Sequence, residues 1–117
     1  MRRVAKPWGY EIVFAETDRY AGKILHLEPG HSLSLQYHER KDETIYVLSG
    51  EVLLSVEENG TMTERRLTRG MAYRIRPGMR HRMRAQIVTD LAEVSSPELD
   101  DVVRLEDDYG RAGTTTP

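Results

Sequence analysis

Short alternating segments punctuated by turn residues run the length of this chain, and no stretch between them has a helical period. Trp8 to Ala15 and Tyr20 to Glu28 read as strands, rich in β-branched, aromatic and leucine residues, with the polar turn Glu16-Thr17-Asp18-Arg19 between them. Ser32 to His38, Glu43 to Ser49, Gly50 to Glu57 and Thr61 to Leu67 follow, each alternating. Met71 to Arg76, Arg80 to Ala85 and Thr89 to Ser95 complete the series. Asn59-Gly60 is the strongest hairpin signal, because both residues tolerate the positive φ of a type I′ turn. Such a pattern specifies an all-β sandwich or barrel.

Within it, Gln36 and His38 lie two apart. Successive strand side chains point to opposite faces, so these two share one, roughly 6–7 Å apart along the strand. The charged turn Glu39-Arg40-Lys41-Asp42 then folds the chain back, and Glu43 opens the next strand, expected to pair with the first. Oxygen and nitrogen donors converging in this way suit a divalent metal. A further donor comes from Gly70 to Ala85, where His81 begins a return strand after the Pro77-Gly78 turn. Any one of these residues alone is an ordinary polar surface position. Their joint spacing is not.

These segments resemble the two signature motifs of the cupin family. Gly30, Gln36-Tyr37-His38, Glu43 and Gly50 stand at the spacing of the first motif, with Gln36 where most cupins have histidine. Gly70, Gly78 and His81 fit the second, although Pro77 sits one place late and Ala85 replaces the usual asparagine. Gln-x-His followed by glutamate is similar to the ligand pattern of cupin phosphomannose isomerases, including the C-terminal domain of bifunctional mannose-1-phosphate guanylyltransferases. Lys6-Pro7-Trp8-Gly9-Tyr10-Glu11 looks like the opening of that domain. Asp100 to Arg111 looks like its close.

The resemblance implies a single-domain cupin jelly-roll β-barrel over residues 1–111, a disordered tail at 112–117, and a homodimer. Its metal ligands would be Gln36, His38, Glu43 and His81, holding one divalent ion; zinc fits, and manganese, cobalt, nickel or iron could also be held. The implied reaction is aldose–ketose isomerisation of a sugar phosphate, mannose 6-phosphate and fructose 6-phosphate above all, through an enediol. That chemistry needs a base for the carbon-bound proton and an acid for oxygen. Lys41 stands where these isomerases carry a basic residue, and Glu93 and Arg104 resemble a glutamate and an arginine of the zinc-dependent isomerases. Arg111 and Arg80 are candidates for the phosphate, which arginine binds bidentately. Arg82 and Arg84 alternate with His81 and should point away. Two other readings fit the same ligands: a non-catalytic module binding a sugar or sugar nucleotide, and an iron-dependent dioxygenase.

Composition narrows the partners. At 117 residues the chain is one domain's length, enough to bury about two-thirds of its unfolded surface. The net charge of −2 provides no basic field for nucleic acid. No apolar run is long enough to span a bilayer, and Met1 to Pro7 lacks the apolar segment of a signal peptide. With no cysteine, disulfides and thiolate metal sites are excluded. A cytoplasmic location is the expectation.

Overall fold

The computed structural model describes residues 1–113 and contains eleven strands among them. They are β1 Arg2–Lys6, β2 Gly9–Glu16, β3 Ala21–Leu27, β4 Leu35–Tyr37, β5 Glu43–Ser49, β6 Glu51–Glu58, β7 Thr61–Thr68, β8 Ala72–Ile75, β9 His81–Ala85, β10 Thr89–Ser95 and β11 Val103–Glu106. Nine of the eleven coincide with the segments expected from alternation, and β1 and β11 are additional. Asn59 and Gly60 both have positive φ, at 52° and 78°, as the β6–β7 hairpin requires.

The strands form two antiparallel sheets. One runs β1-β2-β3-β10-β5-β8 and the other β11-β4-β9-β6-β7. Leu25 and Leu27 on β3, Ile45 and Val47 on β5, and Leu91 on β10 point inward from the first sheet. Val52, Leu54 and Val56 on β6 and Met83 and Ala85 on β9 meet them from the second. Burying each of the larger of these contributes about 1.5–3 kcal/mol before chain entropy is counted. Trp8 joins this core, at 3% exposure. The outward residues of β9 are Arg82 and Arg84, as alternation requires.

The expected barrel does not form. Among the described residues no strand of one sheet pairs with a strand of the other, so β1 and β8 remain edges of the first sheet and β11 and β7 edges of the second. The architecture is an open two-sheet sandwich. Its layers are held by apolar side chains across the core rather than by a continuous hydrogen-bond ladder. β4 and β5 are likewise not a hairpin pair: β4 lies between β11 and β9, and β5 between β10 and β8. The turn between them carries the chain across from one sheet to the other. This crossing places Gln36 and Glu43 on different sheets.

The expected tail falls mainly on residues 114–117, outside those described. Before it, the amide of Gly113 donates to the carbonyl of Arg104 at 2.9 Å.

Candidate metal centre

His38 directly follows β4, Glu43 is the first residue of β5 and His81 the first of β9. All three are buried, at 2%, 3% and 1% exposure. The register places Gln36 opposite His81, so two of the sequence-predicted ligands are cross-strand neighbours on one sheet. Glu43 reaches them from the other sheet. Its Oε1 lies 3.6 Å from His38 Nε2 and 3.5 Å from His81 Nε2.

Those separations are close to what three ligands around one ion require. Donors bound at about 2.0–2.1 Å stand roughly 3–3.5 Å from one another. The second shell fixes the imidazoles. His38 Nδ1 bonds to the carbonyl of Asp101 at 2.6 Å and His81 Nδ1 to that of Met79 at 2.9 Å. A carbonyl only accepts, so both Nδ1 atoms carry the proton and both Nε2 lone pairs face the shared space. Neither Nε2 has a hydrogen-bond partner. Buried acceptors are seldom left so. The triad is a metal-binding site, with every ligand atom within 4.8 Å of the others.

Charge agrees with this role. Burial lowers the affinity of His81 for a second proton, keeping it a neutral ligand. Burial would raise the Glu43 carboxyl, but the adjoining Lys41 ammonium, above all, holds it well below the usual carboxylate range.

Gln36 borders the same pocket as His38. Its Oε1 accepts a hydrogen bond from the Ser34 hydroxyl at 2.5 Å, which orients the amide.

Next to the triad lies a second buried cluster. Lys41 Nζ is 2.9 Å from Glu43 Oε2 and 3.3 Å from Glu93 Oε2. Burial opposes the lysine's charge, but Glu93 and then Glu43 outweigh it and hold its pKa above the ordinary range. Glu93 is pushed up, by burial first and then by the neighbouring Glu43 charge. Glu93 is not an edge-strand charge: β10 lies between β3 and β5, and Glu93 points into the sandwich. Arg104, on β11 in register with Gln36, is 5% exposed.

One pocket is thus bordered by Gln36, His38, Lys41, Glu93, Arg104 and Arg111. Arg111 is tied to Asp107 through Nε and a terminal nitrogen, both at 3.0 Å. Arg80 is elsewhere. It pairs with Glu57 at 2.9 Å and does not border this pocket.

Asp101 escaped the sequence reading. Its carboxylate accepts from the amides of Glu39, Arg40 and Lys41 at 3.0, 2.6 and 2.9 Å, clamping the turn between the ligands while its carbonyl fixes His38. Lys23, also at this pocket, went unremarked too, and Lys6 and Glu11 figured only in the opening segment. A charged residue inside an alternating strand was the available signal.

Residues 23–90, which include all four expected ligands, match the Cupin domain family. This chain belongs to the cupin family. The cupin is 33% identical over 115 residues to the xanthan biosynthesis protein XanB of Xanthomonas campestris pv. campestris, an alignment covering 94% of this chain and 24% of that protein. It is 35% identical over 115 residues to the mannose-1-phosphate guanylyltransferase ManC of Salmonella typhimurium, covering 94% and 23%. The cupin therefore spans about a quarter of the length of these relatives. Among solved structures, KdgF from Halomonas sp. superposes with a TM-score of 0.76 at 22% identity, over 86% of this chain and 91% of that one. That likeness extends to the fold. Among the described residues no helix is long and apolar enough to cross a membrane.

Proposed function

We propose that this cupin isomerises a sugar phosphate between aldose and ketose forms, with mannose 6-phosphate and fructose 6-phosphate as the pair. The observation that carries the reading is the Lys41–Glu93 ion pair set directly against the metal triad, at the base of a pocket bordered by arginines. Similarity to a mannose-1-phosphate guanylyltransferase supports the choice of sugar.

In this reading residues 1–111 form the working domain. His38, Glu43 and His81 hold a divalent ion, zinc by preference, and Gln36 adds its amide oxygen. When bound, such an ion supplies Lewis acidity toward the substrate's carbonyl and neighbouring hydroxyl. With one carboxylate among the ligands, the site keeps a net positive charge.

The protein's own groups move the protons. Glu93 takes the proton from the carbon beside the carbonyl and returns it to the adjacent carbon. Its raised pKa suits a base that must also give the proton back. Lys41 gives a proton to the carbonyl oxygen as the enediol forms and regains one from the neighbouring hydroxyl as it collapses, so it begins and ends the cycle charged. Arg104 lies opposite Gln36 and orients the sugar, and Arg111 contacts the phosphate. The cupin acts in the cytoplasm as a homodimer.

The test is solvent exchange. Metal-loaded protein incubated with fructose 6-phosphate in deuterated water should wash deuterium into the carbon beside the carbonyl, followed by proton NMR. Glu93→Gln should abolish this exchange and keep the metal. Formation of neither deuterated ketose nor mannose 6-phosphate by the unaltered protein rules the enediol route out.

A further inference from the structure

In the pocket that His38 borders, two ammonium groups converge on one carboxylate. Lys23 Nζ lies 3.3 Å from Glu11 Oε1, and Lys6 Nζ 3.8 Å from the same oxygen. The three side chains are only 7–8% exposed, and all three border the pocket that His38 and Lys41 share. β2, β3 and β10 direct Glu11, Lys23 and Glu93 to one face. Lys23 and Glu93 are direct cross-strand partners, and Glu93 in turn meets Lys41. A line of inward charges therefore runs Lys6, Glu11, Lys23, Glu93, Lys41, Glu43 and ends among the metal ligands.

The two ends of this line differ. Lys41 is in direct ion pairs with two carboxylates, whereas Lys6 and Lys23 pair directly with one between them and Glu93 reaches Lys23 only through the longer-range field. Burying an ammonium without a full counter-charge is costly, and a lysine so placed gives up its proton more readily or gains an anion. Lys6 shows the strain. Burial lowers its proton affinity, Glu11 opposes this, and the charges of Lys23, Arg104 and Arg111 lower it further. An anion entering here would be met by two ammonium groups with two guanidiniums nearby.

We infer that Lys6 and Lys23, held together by Glu11, form an anion subsite that takes the phosphoryl group of the substrate and so turns its carbonyl end toward the metal triad. That the anion is a sugar phosphate rests on the function proposed above; the subsite itself does not. Lys6 and Lys23 are positioning residues here, and Glu11 sets their spacing.

The experiment is titration of inorganic phosphate into zinc-loaded protein, followed by calorimetry, with far-UV circular dichroism and zinc content checked for every variant. Lys6→Gln and Lys23→Gln should each weaken phosphate binding about tenfold or more, the scale of one lost charged hydrogen bond. Arg80→Gln, outside the pocket, should leave it intact. Glu11→Gln, which removes the shared counter-charge, should tighten it, and this variant decides the matter should the glutamine-for-lysine variants fail to fold. The proposal is overturned if the unaltered protein shows no saturable phosphate binding. It is equally overturned if both lysine variants bind as the unaltered protein does, or if Glu11→Gln weakens binding. Phosphate bound as described by protein that neither exchanges a substrate proton nor interconverts the sugar phosphates leaves the subsite standing and removes the isomerase reading. Turnover whose KM is unmoved by Lys6→Gln does the reverse.

Discussion

His38 and Asp101 lie 63 residues apart in sequence, yet the carbonyl of Asp101 accepts the His38 Nδ1 hydrogen bond at 2.6 Å. The same residue's carboxylate takes the amides of Glu39, Arg40 and Lys41. One residue thus sets the tautomer of a ligand and the course of the turn leading to the next. Replacing Asp101 with alanine frees that turn. Metal affinity should fall about 10–100-fold, as for other losses behind the ligands, measured by competition with a chromophoric chelator. Unchanged affinity would mean that the turn is held by other contacts.

Lys41 is predicted to separate metal binding from catalysis. Lys41→Ala leaves Glu43 and Glu93 facing each other without the ammonium between them. Stability should drop by about 3–5 kcal/mol, the usual cost of removing one partner of a buried pair. Denaturant unfolding reads the loss. The metal should still bind, because no ligand is removed, while turnover should vanish.

Gly50 and Gly78 both have positive φ, at 93° and 83°, but only one is crowded. A Cβ on Gly50 would sit 2.4 Å from Thr89 Oγ1 and 2.5 Å from the Val88 carbonyl, whereas one on Gly78 would meet nothing within 4 Å. Gly78→Ala should therefore cost only backbone strain, about 1 kcal/mol, and Gly50→Ala at least about twice that. Equal costs in urea unfolding would contradict the crowding at Gly50.

His26 gives a pH signature away from the metal. Its Nδ1 lies 2.7 Å from Asp90 Oδ1 and its Nε2 3.1 Å from Glu28 Oε1, and the ring stacks on Tyr10 with centroids 4.7 Å apart. The Asp90 hydrogen bond raises its pKa above the ordinary 6.5, with burial opposing and Glu28 adding. A raised folded pKa contributes stability that is fully present below the unfolded value and lost as pH rises through the folded one. The Tm difference between the unaltered protein and His26→Gln should be largest under mildly acidic conditions and should shrink as pH rises through and above the neutral range. A pH-independent difference would show that the imidazole is held by packing alone.

Much of this fold is legible in the sequence because inward residues alternate so regularly. β6, with Val52, Leu54 and Val56 inside, needs nothing but its pattern. β1 and β11 were missed for different reasons. Arg-Arg-Val-Ala-Lys turns only Val4 and Lys6 inward, which leaves no apolar alternation to betray it, and Val103–Glu106 is four residues long and gains its identity by pairing with β4. The open sandwich was also hidden, since alternation shows which face is buried and not whether sheet edges join. His38, Glu43 and His81 were legible from spacing, yet not that Glu43 arrives from the opposite sheet. Asp101 acts on His38 through its backbone carbonyl, which no side-chain motif announces. The pairing of Glu93 with Lys41 was hidden because β10 enters between β3 and β5, an order that sequence proximity does not suggest.

The central claim, metal-dependent isomerisation at this triad, is tested most directly by a coupled assay for fructose 6-phosphate formed from mannose 6-phosphate. Protein stripped of metal is reloaded in turn with zinc, manganese, cobalt, nickel or iron, with His38→Ala alongside. The account predicts turnover that requires metal and is absent from His38→Ala. Stoichiometric metal binding with no product at any loading would contradict it.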